Sequence, residues 1–246
     1  MQSVTSPAVA RRRRAFVRVA GPDAADYLQR MVSNDVEALD EGAACEALLL
    51  TAKARVIAPL RVLRRGPDDF LVSTEPELGD HVRTQLVRAR FAARVEIEPE
   101  EHESWLVLGG GDEILDERPS GVEVGEDELE RWRIESGIPR WGREIDERIL
   151  PAEAGLDETH ISFTKGCYPG QEPVARQRHR GKVNRRLRVL DVEGEAEPGD
   201  ELQLQGKTVG RITSAVEGVA LGYVRVEVPQ EAVLKVAAKA GSARLR

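Results

Sequence analysis

Residues 165–176 read KGCYPGQEPVAR and place Cys167, one of two cysteines in the chain, among glycine, charged and amide residues instead of apolar ones. Cysteine reacts as the thiolate, and nearby positive charge or a helix N-terminus lowers the thiol pKa. Lys165 and Arg176 could supply that charge, and a helix over residues 171–177 could turn its first N–H groups toward the loop. The stretch therefore indicates either a reactive, exposed thiol or a small residue at a tight turn.

The composition limits the kinds of function in which this thiol could take part. The chain has 246 residues, of which 41% are hydrophobic and 32% charged, as in soluble globular proteins. Its net charge of −7 argues against a dedicated binder of duplex nucleic acid, which is usually basic. Cys45 and Cys167 cannot form a disulfide framework. Because a [4Fe–4S] cluster normally takes about four thiolates, one chain cannot hold such a cluster through its cysteines alone, and no tightly bound metal is predicted.

The N-terminal stretch has a basic run, RRRR at residues 11–14, that resembles an export signal only superficially. Arg18 and Asp23 interrupt the region that would have to be continuously apolar. We expect a frayed basic tail that leads into a strand. No apolar run reaches the ~20 residues of a membrane-spanning helix. The sequence therefore predicts a cytoplasmic protein that does not contact membranes.

Hydrophobic periodicity predicts mixed secondary structure before residue 182. Strands are expected at residues 16–19, 47–50, 56–63, 70–73, 95–97 and 105–108. Helices are expected after Pro22, over residues 76–90 and over residues 129–135. The acid-rich residues 112–130 are expected to form a solvated, loop-rich surface. Strands and helices without regular βαβ spacing indicate the α+β class.

The pattern changes after residue 182. Short strand-like runs separated by Gly, Pro and Asp turns occupy residues 187–192, 201–204, 208–213, 220–228 and 233–236. This is typical of a small antiparallel barrel or sandwich. We therefore divide the chain into residues 1–182 and residues 183–246.

Two further features could bind a ligand. Glu135, in RWRIESGIPRWG (131–142), could accept two parallel hydrogen bonds from a flat N–H edge such as that of a guanidinium or a pterin, or could be an ordinary surface residue. A dense basic run could be a solvated face or an anion site for a polyglutamate tail, a phosphate or an RNA backbone. Its members are Arg176, Arg178, Arg180, Lys182, Arg185, Arg186 and Arg188.

Taken together, these stretches resemble one family. KGCYPGQEPVAR matches the K-G-C-[FY]-x-G-Q-E-x-x-x-R signature of YgfZ-type folate-binding proteins at every specified position. GPDAADYLQRMVSNDVEAL (21–39) resembles the N-terminal helix of that family. RIESGIPRWGREIDERILPAEAGLDE (133–158) resembles the segment that leads to the signature cysteine. The resemblance covers roughly residues 14–182, and the C-terminal part in outline.

The resemblance implies a fold, a ligand and a role. The family is related to the aminomethyltransferase of the glycine cleavage system, which implies a two-lobed α+β folate-binding region, with the second lobe at roughly residues 45–110, and a C-terminal β-barrel. It implies tetrahydrofolate as the ligand and a role with iron–sulfur client enzymes or assembly proteins. Glu135 matches the pterin-binding carboxylate of R-x-E-x-G, and Cys167 matches the signature thiol. The remaining expected site residues are Asn34, Tyr168, Gln171 and Glu172 for the cofactor, with Lys165 and Arg176 holding the thiolate or an anionic tail.

One departure bears on activity. The related aminomethyltransferase carries G-G-I-x-D-D where this chain reads Ala54, Arg55, Val56, Ile57, Ala58 and Pro59. No carboxylate remains there, so aminomethyl transfer is not expected. Ala54 in place of glycine also puts a tight turn at that point in question.

Three hypotheses follow. The first is a tetrahydrofolate-binding accessory protein for iron–sulfur cluster assembly or repair that uses Cys167. The alternative is a folate-dependent one-carbon transferase or demethylase, with Asp35 or Glu172 as an acid or base. The third is an adaptor that contacts RNA through the basic run, whose binding would weaken steeply with salt.

Overall fold

A computed structural model describes residues 7–110, 112–180, 183–237 and 239–246. The chain divides into two compact units. The first consists of Met1–Glu123 and Leu156–His179, and the second of Val124–Gly155 and Arg180–Arg246.

The secondary structure begins at Ala8 and continues through four α-helices and fifteen strands within the described ranges. In chain order these elements are β1 (Ala8–Arg11), β2 (Ala15–Ala20), α1 (Ala24–Met31), β3 (Ala44–Leu50), β4 (Val56–Gly66), β5 (Asp69–Thr74), a 3₁₀ helix (Pro76–Leu78), α2 (Gly79–Ala89), β6 (Glu96–Glu100), β7 (Ser104–Val107), β8 (Asp112–Leu115), β9 (Val122–Glu123), α3 (Glu126–Glu135), a 3₁₀ helix (Pro151–Glu153), α4 (Gln171–Arg180), β10 (Arg185–Gly194), β11 (Glu201–Leu204), β12 (Lys207–Val216), β13 (Val219–Arg225), β14 (Val233–Val236) and β15 (Gly241–Leu245).

The larger sheet of the first unit has the strand order β3-β4-β5-β2-β6, with all neighbours antiparallel. Burial alternates along β4, where Val56, Ala58, Leu60 and Val62 are buried, whereas β5 is buried continuously from Phe70 to Thr74. Helix α1 buries Ala24, Tyr27 and Leu28. The Tyr27 hydroxyl donates to the Leu86 carbonyl of α2 at 2.6 Å, which joins the two helices.

A second sheet in this unit has the order β8-β7-β1-β9. It corrects two expectations. Residues 8–11 are strand β1, paired with β7, and are not a frayed tail. Glu113 of β8 lies in the stretch expected to be solvated, yet its side chain is only 4% exposed because Arg14 and Arg61 approach it at 3.4 and 3.7 Å. A buried carboxylate with two cationic partners is compensated, so the acid-rich composition did not signal exposure here.

The second unit contains α3 and a closed antiparallel barrel with the order β10-β13-β12-β11-β14-β15. The barrel core is built from inward-facing aliphatic residues such as Leu190, Leu202, Ile212 and Leu234. Ile134 of α3 packs with Val219 and Leu221, so the helix covers one outer side of the barrel. Strand β15 was not predicted, because GSARL has too few apolar residues to show a period of two.

The observed architecture agrees with the predicted mixture of helices and strands followed by an antiparallel barrel. The predicted boundary after Lys182 lies outside the described residues, and the domain division stays a prediction. Within the part of the chain that the structure describes, no helix combines the length and apolar character needed to cross a membrane.

Candidate functional site

Lys165 connects the loop at residues 165–170, which we call the signature loop, to the end of helix α1. Its ammonium donates to the backbone carbonyls of Gln29, Val32 and Asn34 at 2.5, 2.7 and 2.8 Å. The last carbonyls of a helix have no partner within the helix, and a cation is favourable near them. The residue is 8% exposed, so these contacts are shielded from water. Lys165 is thus an anchor for the loop.

These bonds revise the expected role of Lys165. All three N–H donors of the ammonium are used by carbonyls, which leaves none for the Cys167 thiolate. Burial lowers the pKa of Lys165 to about 8, while Asp35, Cys45 and Glu37 raise it. The Tyr168 ring lies 5.4 Å from the ammonium. The Lys165 ammonium therefore holds the signature loop against the end of α1 and does not donate to the Cys167 thiolate.

Cys167 is exposed on this anchored loop. A Cβ atom added at the neighbouring Gly166 would meet no atom within 4 Å, so the loop is not packed against other residues at that position. Cys45 on β3 differs, since it is half-buried and burial raises its thiol pKa to about 11. Only one of the two thiols is thus presented for reaction.

Gly170 allows the signature loop to lie directly against the turn after β3. Its φ is +85°, and a Cβ there would lie 2.6 Å from the Thr51 carbonyl oxygen and 3.1 Å from the Ala54 Cα. The turn is closed by the Ala54 N–H donating to the Thr51 carbonyl at 2.9 Å. Ala54 has φ +58°, so the tight turn is retained with alanine in a conformation that favours glycine.

Asn34 is held by the fold itself. Its side-chain amide donates to the carbonyls of Glu46 at 2.7 Å and Thr159 at 3.3 Å, and its Oδ1 accepts from the Asp35 N–H at 3.0 Å. The two amide hydrogens are thus engaged, and a contact between Asn34 and the cofactor stays a prediction.

Two predicted residues, Tyr168 and Gln171, line one small cavity in the first unit, which we call the Tyr168 cavity. Its volume is about 270 Å3, and it is lined by Ser162, Phe163, Tyr168, Gln171, Ala175 and Arg178. Arg178 places its guanidinium 3.7 Å from the Phe163 ring centroid. Arg176 and Glu172 are exposed on α4 and do not line this cavity. The sequence pointed to Arg178 only as one member of the basic run, because its aromatic partner lies outside that run.

Glu135 is the last residue of α3 in the second unit, and its side chain is 43% exposed. Arg131, one helical turn earlier, lies 3.3 Å from Glu135 Oε1 and also donates to the Glu217 carbonyl at 2.8 Å. Since a carboxylate has about four acceptor positions, this single contact leaves room for a second partner. The residue can therefore accept hydrogen bonds from a ligand.

A buried ion pair fixes the helix that carries Glu135. Arg133 donates to Glu144 at 3.0 Å and to the Ser214 hydroxyl at 2.8 Å, and Ser214 donates to the other Glu144 oxygen at 2.6 Å. The Glu144 side chain is fully buried. Arg133 also donates to the Ile138 carbonyl at 2.6 Å. Helix α3 is thus locked to β12 and to the loop that follows the helix, which sequence reasoning did not foresee.

The residues that stand where the related enzyme has its acidic motif lie within strand β4. Ala58 is fully buried, and the Pro59 carbonyl accepts from the Thr74 hydroxyl at 2.7 Å. Neither residue can exchange a proton. Across the described ranges, no group of three or more His, Cys, Asp and Glu side chains is placed to hold a metal ion.

Comparisons with known proteins identify a barrel family for the C-terminal part and sequence relatives for most of the chain. Residues 184–246 match the family model described as the CAF17 C-terminal beta-barrel domain. The chain is 26% identical to the mouse iron-sulfur cluster assembly factor IBA57, mitochondrial, over 86% of this chain and 72% of that protein. It is 25% identical to a Yersinia pestis protein named tRNA-modifying protein YgfZ, over 82% of this chain and 78% of that protein. It spans 63% of the length of a chloroplastic protein of Arabidopsis thaliana that is 26% identical.

The fold is shared with a solved enzyme. The crystal structure of the glycine cleavage system aminomethyltransferase T from Bartonella henselae superposes with a TM-score of 0.84, at 16% identity, covering 98% of this chain and 85% of that one. These comparisons confirm the resemblance to YgfZ-type proteins and the predicted fold class, an aminomethyltransferase-like region followed by a small barrel.

Proposed function

We propose that this protein is a tetrahydrofolate-binding accessory factor in iron–sulfur cluster assembly or repair, with Cys167 as its working thiol. The observation that carries the proposal is the exposed Cys167 on a loop that Lys165 anchors through three hydrogen bonds to backbone carbonyls. An exposed thiol on a fixed loop can be approached by a partner without rearrangement of the fold. The names of the mouse and Yersinia relatives support the assignment to cluster assembly and to the YgfZ type.

Glu135 suits the expected folate. A pterin offers a flat edge with adjacent N–H donors, and a half-exposed carboxylate can accept two of them in parallel. The Arg133–Glu144 pair holds α3 in place, so the carboxylate is positioned before a ligand arrives. Bound tetrahydrofolate would supply a one-carbon carrier, and the residues of this chain would bind and orient it.

The alternative is a folate-dependent one-carbon transferase or demethylase, and the shared fold with an aminomethyltransferase favours keeping it. The geometry provides few side chains that could act as the acid or base of such an enzyme. Ala58 and Pro59 replace the acidic motif, and Asp35 Oδ1 already accepts from the Gln29 amide at 2.9 Å and the Ala38 N–H at 3.2 Å. Glu172 is exposed to solvent. Turnover of a methylamine or aminomethyl donor with tetrahydrofolate would favour this alternative.

The test is anaerobic calorimetric titration with tetrahydrofolate. Glu135→Ala is expected to weaken binding at least about tenfold, which corresponds to about 1.4 kcal/mol. Glu128→Ala is the matched control, since Glu128 is an exposed glutamate on the same helix. No saturable binding by the folded wild type would overturn the folate assignment, whereas equal weakening by both variants would remove the specific role of Glu135.

A further inference from the structure

Tyr168 has a hydroxyl that the fold leaves unused. The residue is 7% exposed, and its hydroxyl makes no hydrogen bond to another described residue and keeps contact with solvent. A tyrosine hydroxyl at the surface of a cavity can bond either water or a ligand. Burial raises the pKa of Tyr168 to about 12, so the group keeps its proton and can donate. Because Tyr168 lines the Tyr168 cavity, this donor is available to a molecule bound there.

Arg178, an exposed residue of α4, adds a cation to the lining of the same cavity. Its guanidinium lies 3.7 Å from the Phe163 ring centroid, a stacking contact that fixes the plane of the group. Stacking on an aromatic face leaves the N–H edge of a guanidinium free to grip a carboxylate. The Gln171 amide, which also lines the cavity, adds further hydrogen-bonding capacity. The cavity therefore presents donors suited to a small carboxylate.

Cys167 is not a lining residue of the cavity, but it immediately precedes Tyr168, which is. Because consecutive Cα atoms are about 3.8 Å apart, the backbone of Cys167 lies next to that of a lining residue. A molecule only a few bonds long, held by a carboxylate at Arg178, can therefore bring a second functional group to the thiol. The cavity of about 270 Å3 admits only a small ligand.

We propose that the Tyr168 cavity binds small thiols that carry a carboxylate, together with their disulfides, and directs them to Cys167 for thiol–disulfide exchange. The Cys167 thiolate attacks one sulfur of the disulfide. The original S–S bond breaks as the new bond to Cys167 forms, and the departing thiolate leaves with the electron pair and takes a proton from water. Cys167 is oxidised and the released half is reduced. This inference rests on the proposed function for Cys167 as the working thiol, and it uses Tyr168 and Gln171, which were also expected at the folate site, but the exchange step itself needs no folate.

The experiment compares three disulfides of similar size. These are 3,3′-dithiodipropionic acid, which is anionic, bis(2-hydroxyethyl) disulfide, which is neutral, and cystamine, which is cationic. The rate of Cys167 adduct formation is followed by intact-protein mass spectrometry, with Cys167→Ser identifying any adduct on Cys45. All rates are expressed relative to the reaction of the same disulfide with a free model thiol, because the three leaving thiols differ in pKa. We expect the relative rate of the dianion to exceed that of the neutral disulfide about tenfold, the size of one charge-assisted hydrogen bond.

Two variants assign the preference to the cavity. Arg178→Gln is expected to bring the rate of the dianion down to that of the neutral disulfide. Tyr168→Phe removes a single oxygen atom and is expected to slow the dianion alone, which keeps the test valid if the arginine variant folds poorly. Equal rates for all three disulfides in the wild type would overturn the proposal. So would an equal loss of preference in Arg176→Gln, because the effect would then belong to the general charge of α4.

Discussion

The Lys165 ammonium lies 2.7 Å from the Val32 carbonyl oxygen, although the two residues are 133 positions apart in the chain. This contact connects the loop that carries Cys167 to the end of the first helix. The loop that carries the exposed thiol is therefore held by Lys165, a residue of the signature motif whose partner cannot be read from the motif.

We expect Lys165→Met to lower the free energy of unfolding by about 2 kcal/mol at pH 7, because three carbonyl acceptors lose a charged donor. Urea denaturation measures the change, and hydrogen exchange should show weaker protection in the signature loop. Lys53→Met, at an exposed lysine, is the control. If both variants were equally stable, the anchoring role of Lys165 would be refuted.

Lys165 also predicts a pH dependence. Folding lowers its pKa from 10.5 to about 8, so the unfolded chain binds this proton more tightly. The free energy of unfolding therefore gains from this group as the pH rises between about 8 and about 10.5. Denaturation across that range should show the wild type gaining stability relative to Lys165→Met. A constant difference between the two proteins would contradict this.

Ala54→Gly is expected to raise the free energy of unfolding by about 0.5 kcal/mol, because relief of the left-handed backbone outweighs the added flexibility of glycine. Ala47→Gly, at a buried position in β3, is expected to lower it by about 1 kcal/mol. Thermal unfolding distinguishes the two directions. A loss of stability in both variants would show that the turn tolerates alanine without strain.

A double-mutant cycle tests the lock on α3. Arg133→Met should cost about 3 kcal/mol, since it leaves the fully buried Glu144 carboxylate without its cationic partner. Glu144→Leu should cost less, because Arg133 keeps its two hydrogen bonds to Glu130 at 2.8 and 2.9 Å. The double variant should lose less than the sum of the two. Urea denaturation of the four proteins measures the coupling free energy. Simple additivity would mean that the pair does not act as a unit.

Cys167→Ala is expected to abolish the rescue of iron–sulfur enzyme activity in cells that lack this protein, because the presented thiol is lost. Cys45→Ala should retain the rescue, since its thiol is half-buried and burial raises its pKa. The activity of an iron–sulfur enzyme in lysates, with the level of each variant checked, provides the measurement. Full rescue by Cys167→Ala would remove the thiol from the proposed function.

The sequence predicted the parts of the fold that local patterns encode. The barrel strands with clear alternation and the helices with apolar faces were found, whereas β15 and the strand at residues 8–11 were not. Burial of Glu113 depends on Arg14 and Arg61, which are distant in sequence. No local composition rule could reveal it.

The candidate site shows the same limit. The motif singled out Cys167, Tyr168 and Gln171, because glycine and charge around a cysteine are visible locally. The carbonyl partners of Lys165 and the aromatic partner of Arg178 were not visible, because both depend on how separate segments meet in space. The role first expected for Lys165 followed from its nearness to Cys167 in sequence, and its actual contacts are with α1 and the residues just after it.

The ring of the C-terminal barrel has a kinetic consequence. Its seam joins β10 to β15, the first and last strands of the ring, with Leu190 opposite Leu245. The chain segment enclosed by this pairing is the longest in the ring, so its closure carries the largest entropy cost. We therefore expect the local hairpins to form early and the pairing of β10 with β15 to close the barrel last.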